Sequence, residues 1–290
     1  MPFKPVPRPW RLRSSWKRQY SECGSPSRLP ERQHRAMTEA AAGMVRAGMV
    51  RAGMVRGCRA RRRCRDAIDR RAAFADNRRQ FQGSCQVPVV ALDFETANEE
   101  RGSACAVGLA WIDGLRVVRV EERLIRPEPF RFSPFNTQVH GIAAADVVDQ
   151  PGFFEVLSAW FPDLIGSTVL AHNAAFDISV LRAALDRCGR RYPPLSYLCT
   201  VKIARLVWPE LTSAALPAVA RHLGFGFDHH RAGADAVACA RVAIAAAGHL
   251  GVAGVAEIPA RIGLKVGVLF ETGWHPCSSR RDRRSPPPPT

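Results

Sequence analysis

The sequence predicts an α/β domain at residues 86–250, set between two basic ends. Three observations predict it. Strand-length apolar runs follow one another from Val87 to Ile125. From Phe153 onward, strand-like and helix-like stretches alternate, as in an α/β sheet. The charge also changes. Residues 1–80 hold 21 Lys+Arg and 6 Asp+Glu, a net of +15, while residues 81–250 hold 15 and 17, a net of −2.

The first element is VPVVALDFET, residues 87–96, a strand by its β-branched residues. Cys105–Ile112 reads as a second strand, Asp113–Gly114 as a hairpin turn and Leu115–Ile125 as a third strand. The Pro-rich Arg126–Pro134 reads as a loop and Phe153–Phe161 as a helix. Ser167–Ala171 is a short buried strand. Ala174–Cys188 has helical spacing at Phe176, Val180, Leu181 and Leu185, and it stops at Gly189. Tyr197–Thr200 is a fifth strand. Short helices are expected at Val201–Val207 and Leu216–Leu223, and a long one over Ala232–Ala247. A domain of this size buries roughly 70% of its unfolded surface and can fold alone.

The ends read differently. Residues 1–85 are rich in Arg, Pro, Ser and Gly, and AGMVR occurs three times, at 42–46, 47–51 and 52–56. A five-residue period turns about 140° per copy around a helix, so no apolar face forms. The segment reads as a disordered basic extension, or as residues upstream of the true start. A nucleic-acid-binding arm is the alternative. Residues 251–290, ending SSRRDRRSPPPPT, read as a disordered tail. The high pI of about 10.5 therefore describes the ends and not the middle domain.

Nine cysteines, an odd number with no CxxC pair, read as reduced thiols of a cytoplasmic protein. No uncharged apolar run reaches 18 residues, so no membrane partner is expected. The N-terminus has no apolar core of a secretory signal.

The chemistry sits where apolar runs end in acids. Asp93 and Glu95 are two apart on a strand, so they share a face. Two like charges at 4 Å repel by about 4 kcal/mol at an effective dielectric near 20. Either a cation or a proton must settle them. In LAHNAAFD, residues 170–177, Asn173 can cap the following helix and Asp177 falls in its first turn. By themselves these read equally well as capping residues. In HHRAGADA, residues 229–236, His230 and Asp235 are five apart. They converge only if His230 lies in the loop before the helix. VHGI, residues 139–142, carries a lone His140 beside Gly141, which reads as structural.

Taken together, Asp93, Glu95, Asp177 and Asp235 lie at strand ends or helix starts, where α/β sites form. Four carboxylates in one cleft need cations. Hard oxygen donors without thiolates select Mg²⁺ or Mn²⁺. Two such ions form a clamp for phosphoryl chemistry, and a nearby histidine is the natural base.

The ordered set DFET, HNAAFD and HRAGAD resembles the three exonuclease motifs of the DEDD superfamily. It is similar to the histidine-bearing DEDDh branch, which includes the proofreading epsilon subunit of the bacterial replicative polymerase. The resemblance spans about residues 88–247, including VHGI and YLCTVKIARLVWP at 197–209. It implies a ribonuclease H-like fold, with a mixed five-stranded sheet flanked by helices. It implies a 3′→5′ exonuclease that uses two ions, Mg²⁺ or Mn²⁺, and releases nucleoside 5′-monophosphates. DNA 3′ ends, single-stranded or frayed, are the expected substrate, in proofreading or repair. RNA is the alternative substrate, and a non-catalytic nucleic-acid-binding module is a further one. A polymerase partner is implied, although no binding segment is recognisable.

Carried over residue by residue, the resemblance makes Asp93 the bridge between both metals. Glu95 and Asp235 hold the nucleophile-side ion, and Asp177 serves the other, directly or through water. His230 is the general base. Thr96 grips the terminal nucleotide, with His172 and Asn173 supporting the site, and Phe176 reads as core.

Overall fold

The computed structural model describes residues 87–279. The expectations for residues 1–85 and 280–290 lie outside the described residues. The meander forms as the alternation predicts: β1 is Val89–Thr96, β2 is Ala104–Asp113 and β3 is Arg116–Leu124, each antiparallel to the next. Gly114 takes the left-handed conformation that the tight turn needs, with φ +56°. β1 is buried along its first half because β2 and the later strand β4, Thr168–Ala171, flank it.

The segment after the meander is more helical than its prolines suggest. It holds α1 (Pro134–His140), α2 (Ala144–Val147), α3 (Phe153–Ser158) and α4 (Phe161–Leu164). Pro134 opens α1 at a position where its missing N–H costs nothing. After β4 come α5 (Ala174–Arg187), β5 (Leu195–Cys199), α6 (Thr200–Val207), α7 (Leu216–His222) and α8 (Ala232–Leu250). A short helix, α9, follows at Ile258–Ile262.

The sheet has seven strands in the order β3-β2-β1-β4-β5-β6-β7, where β6 is Gly267–Phe270 and β7 is Gly273–His275. This corrects the expected five. The two additional strands come from the segment that reads as a tail. Only four and three residues long, they are too short to show a period. What makes them strands is the open edge of β5. Leu269 pairs with Leu195 there and is fully buried. Gly267 lies so close to the Tyr197 ring that a Cβ would stand 2.4 Å from it. The Tyr197 hydroxyl donates to the His275 carbonyl at 2.9 Å. The hairpin thus covers an otherwise unpaired edge.

α8 is long and apolar enough to cross a membrane by composition, and more than half of it is buried. Its small side chains, Ala236, Ala240, Ala243 and Ala247 among them, pack inside the fold. Phe94 points to the opposite face and meets Phe153 of α3, with ring centroids 5.9 Å apart. The centre of the sheet is therefore covered on both sides, and β1 ends in the opening between these layers.

Candidate active site

β1 delivers the first two carboxylates. Its two-residue period turns Asp93 and Glu95 to one face, while Phe94 turns to the other and is buried. Both acids are partly exposed, in a cleft at the strand's C-terminal end. The third carboxylate comes from the first turn of α8. Gly108 on β2, the register partner of Asp93, lets that helix approach. A Cβ on Gly108 would stand 2.1 Å from the Ala232 backbone. As a result the ligand atoms of Asp93, Glu95 and Asp235 lie within 4.8 Å of one another.

Asp235 is 3% exposed and fully engaged. Its Oδ2 accepts the His230 backbone N–H at 2.7 Å, and its Oδ1 contacts His229 Nδ1 at 2.8 Å. His230 has φ +68°, a left-handed conformation unusual for a residue with a side chain. That turn aims the His230 backbone N–H back at Asp235 and brings its ring to the cleft. The His229 and His230 rings stack with centroids 3.8 Å apart. Burial first, and His229 second, hold the His230 ring below its ordinary pKa.

Asp177, the fourth expected carboxylate, stands apart from these three. It is 1% exposed, and its Oδ1 accepts the Phe94 backbone N–H at 3.2 Å. It is not one of the three acids whose ligand atoms converge, and it does not line the cleft. It sits behind them and ties α5 to β1 at Phe94, between Asp93 and Glu95.

The electrostatics answer the question that the paired acids raise. Burial, then Asp177, Asp235, Glu95 and Glu122, push Asp93 well above the carboxylate range. Burial, then Asp235, Asp177 and Glu122, bring Glu95 up to about 8. Burial brings Asp177 up to about 7, against the lowering effect of the Phe94 N–H. Protons or cations must therefore neutralise the cluster at neutral pH. Its donors are hard oxygens, which fit Mg²⁺ or Mn²⁺.

The remaining walls come from three further segments. Asn136 on α1 donates to the Thr96 carbonyl at 2.9 Å and to its Oγ1 at 3.3 Å. His140 Nδ1 accepts the Ile142 N–H, so Nε2 carries the proton and donates to the Thr96 carbonyl at 3.1 Å. Thus α1 clamps the end of β1 and leaves Phe135, 72% exposed, and Val139 at the cleft.

His172 uses both ring nitrogens internally. Nε2 donates to the Ala214 carbonyl and Nδ1 accepts from the Thr200 hydroxyl, both at 2.9 Å. Burial drives its pKa down to about 4, so it stays neutral. Asn173 takes the N-cap place of α5 in the left-handed conformation, without a side-chain capping bond. Phe176, read from the sequence as core, is only half-buried and lines the cleft under the Arg101 guanidinium, 4.4 Å from the ring centroid.

The structure thus gathers Asp93, Glu95, Asp235, Thr96, His172 and His230 around one cleft, with Asp177 behind it. The sequence reading missed Asn136, His229 and Glu122. Asn136 lies on a segment with no buried residue to mark its face, and Glu122 is far from the others in sequence.

Comparison with known proteins gives one consistent result. The model of the RNase_T family, described as exonuclease, matches residues 90–243. Over 110 residues the chain is 38% identical to a PolC-type DNA polymerase III of Clostridium perfringens, a match covering 37% of this chain and 7% of the relative. Over 147 residues it is 31% identical to exodeoxyribonuclease 10 of Escherichia coli K12, covering 49% of this chain and 60% of the relative. The chain therefore spans less than two thirds of either relative. A 3′-exonuclease solved in a study of histone mRNA stem-loop recognition superposes with a TM-score of 0.50 at 15% identity, covering 68% of this chain and 93% of that one. That likeness concerns the fold, which is ribonuclease H-like.

Proposed function

Because the chain belongs to the RNase_T exonuclease family, we propose that it removes nucleotides from the 3′ ends of DNA, using two divalent cations, Mg²⁺ or Mn²⁺, in replication or repair. The carrying observation is the convergence of Asp93, Glu95 and Asp235 within 4.8 Å at one end of the cleft, beside His230. DNA as substrate draws support from the names of the two relatives above, one a DNA polymerase and one an exodeoxyribonuclease.

Asp93, Glu95 and Asp235 would hold the cations, with Asp177 serving the second ion directly or through water. When bound, the ions would supply positive charge to activate water and to offset charge on the leaving oxygen. The chain's own groups do the rest. Asp235 holds the His230 backbone, so the imidazole stands at the cleft, where burial and His229 keep its pKa below the ordinary value. It accepts the proton of the attacking water as general base. Thr96, fixed by Asn136 and His140, offers backbone and hydroxyl groups to the terminal nucleotide. His172 supports the site from behind by joining β4 to α6 and to the loop before α7, and Asn173 sets the turn into α5. Phe135, Val139 and Phe176 give the nucleoside apolar walls.

The test is a 5′-labelled single strand, as DNA and as RNA, incubated with the purified chain and Mg²⁺, Mn²⁺ or chelator. A metal-dependent ladder shortening from the 3′ end of DNA is expected. In His230→Gln the rate should fall about 10²–10⁴-fold, the range for losing a general base. Shortening of RNA alone would move the substrate to RNA. No shortening of either strand would leave a binding module.

A further inference from the structure

The first turn of α8 carries Asp235 but has no cap of its own. Arg231 stands at the N-cap and makes no side-chain capping bond. The bond comes from across the sheet. Glu122 on β3 accepts the Gly233 backbone N–H with its Oε2 at 3.1 Å. Register puts Glu122 in line with the site, since Asp93 pairs with Gly108 and Gly108 pairs with Glu122.

Both glycines are needed for this approach. A Cβ on Gly108 would collide with the Ala232 backbone, and one on Gly233 would stand 2.5 Å from Glu122 Oε2. Glu122 also adds to the negative field that pushes up Asp93 and Glu95. It is not one of the three acids whose ligand atoms converge. A further carboxylate beside a crowded acid cluster is unfavourable for that cluster. What offsets it is the helix N-terminus, whose free amides and dipole favour an anion.

We propose that Glu122 is a positioning residue that, through the Gly233 amide, holds the first turn of α8 and so keeps Asp235 against Asp93 and Glu95. The proposal rests on reading these three acids as a cation site. The bond is one layer removed from the cation, and such outer partners set how well the inner ligands are presented.

The experiment measures Mn²⁺ binding to the full chain by calorimetry, together with hydrogen exchange at the Gly233 amide. In Glu122→Ala the Mn²⁺ dissociation constant should rise about tenfold, with faster exchange at Gly233. Glu122→Gln keeps an acceptor oxygen and should restore most of the binding. A second variant guards against misfolding. Gly233→Ala favours the helix intrinsically but crowds Glu122, whose Oε2 would stand 2.5 Å and whose Cβ 3.2 Å from the added methyl. Mn²⁺ binding should weaken in it while circular dichroism still reports a folded chain. Parent-like Mn²⁺ binding in Glu122→Ala would overturn the proposal. So would a Glu122→Gln chain as poor as Glu122→Ala, since charge and not the bond would then matter. A parent chain that binds no Mn²⁺ would overturn the cation-site reading and the proposal with it, and that failure shows before any substitution is made.

Discussion

The two halves of β1 obey opposite rules. Val89, Val90, Ala91 and Leu92 are at most 9% exposed and enclosed by neighbouring strands and α8. They stabilise the fold by removing apolar surface from water. From Asp93 onward the same strand brings carboxylates together, no described basic side chain stands among the groups that shift Asp93 or Glu95, and burial and mutual repulsion raise their pKa values. One strand thus joins a stabilising half to a half that is unfavourable unless something positive is bound. The first anchors the second, so the acids cannot relax apart.

This contrast can be broken at either half. The largest effect is expected from Asp93→Asn. Losing one cation ligand should remove about 4 kcal/mol of transition-state stabilisation, or roughly a thousandfold in turnover. The metal-free protein should melt no lower than the parent, since a repelling carboxylate is gone. A marked drop in melting temperature would show that Asp93 holds the fold together, and the contrast would fail.

Leu92→Ala, one residue earlier, should do the reverse. A fully buried leucine truncated to alanine costs about 3 kcal/mol, so denaturant midpoints should fall. Turnover at a temperature where the variant is folded should stay near that of the parent. A large loss of turnover in the folded variant would mean that the two halves are not separable.

The smallest effect sharpens the comparison through pH. Glu95 at about 8 and Asp177 at about 7 are raised above free carboxyl values. Their protonated forms therefore stabilise the fold, and that contribution is present at low pH and lost as pH rises through about 7 to 8. The metal-free chain should melt lower at about pH 9 than at about pH 6, and Mg²⁺ should narrow the difference. A melting temperature independent of both pH and Mg²⁺ would mean that the acids neither repel nor bind.

Part of this architecture is legible in the amino-acid order. Period two puts Asp93 and Glu95 on one face, and the meander and the long helix follow from apolar spacing. Those features depend on neighbours a few residues apart, which is the range that sequence patterns describe. The motif order also carries His230 and Asp235, because a loop followed by a first helical turn is local.

Other features were decided only when distant segments met. β6 and β7 exist because β5 left an edge open. Asp177 fell behind the acid trio because its carboxylate bonds Phe94, 83 residues away. Phe176 turned to the cleft and not to the core. Glu122 reached Gly233 from 111 residues away. The sequence by itself determined which groups could do the chemistry. The tertiary structure decided how close they stand, because like charges converge only where a packed sheet and a helix brought close by glycines hold them.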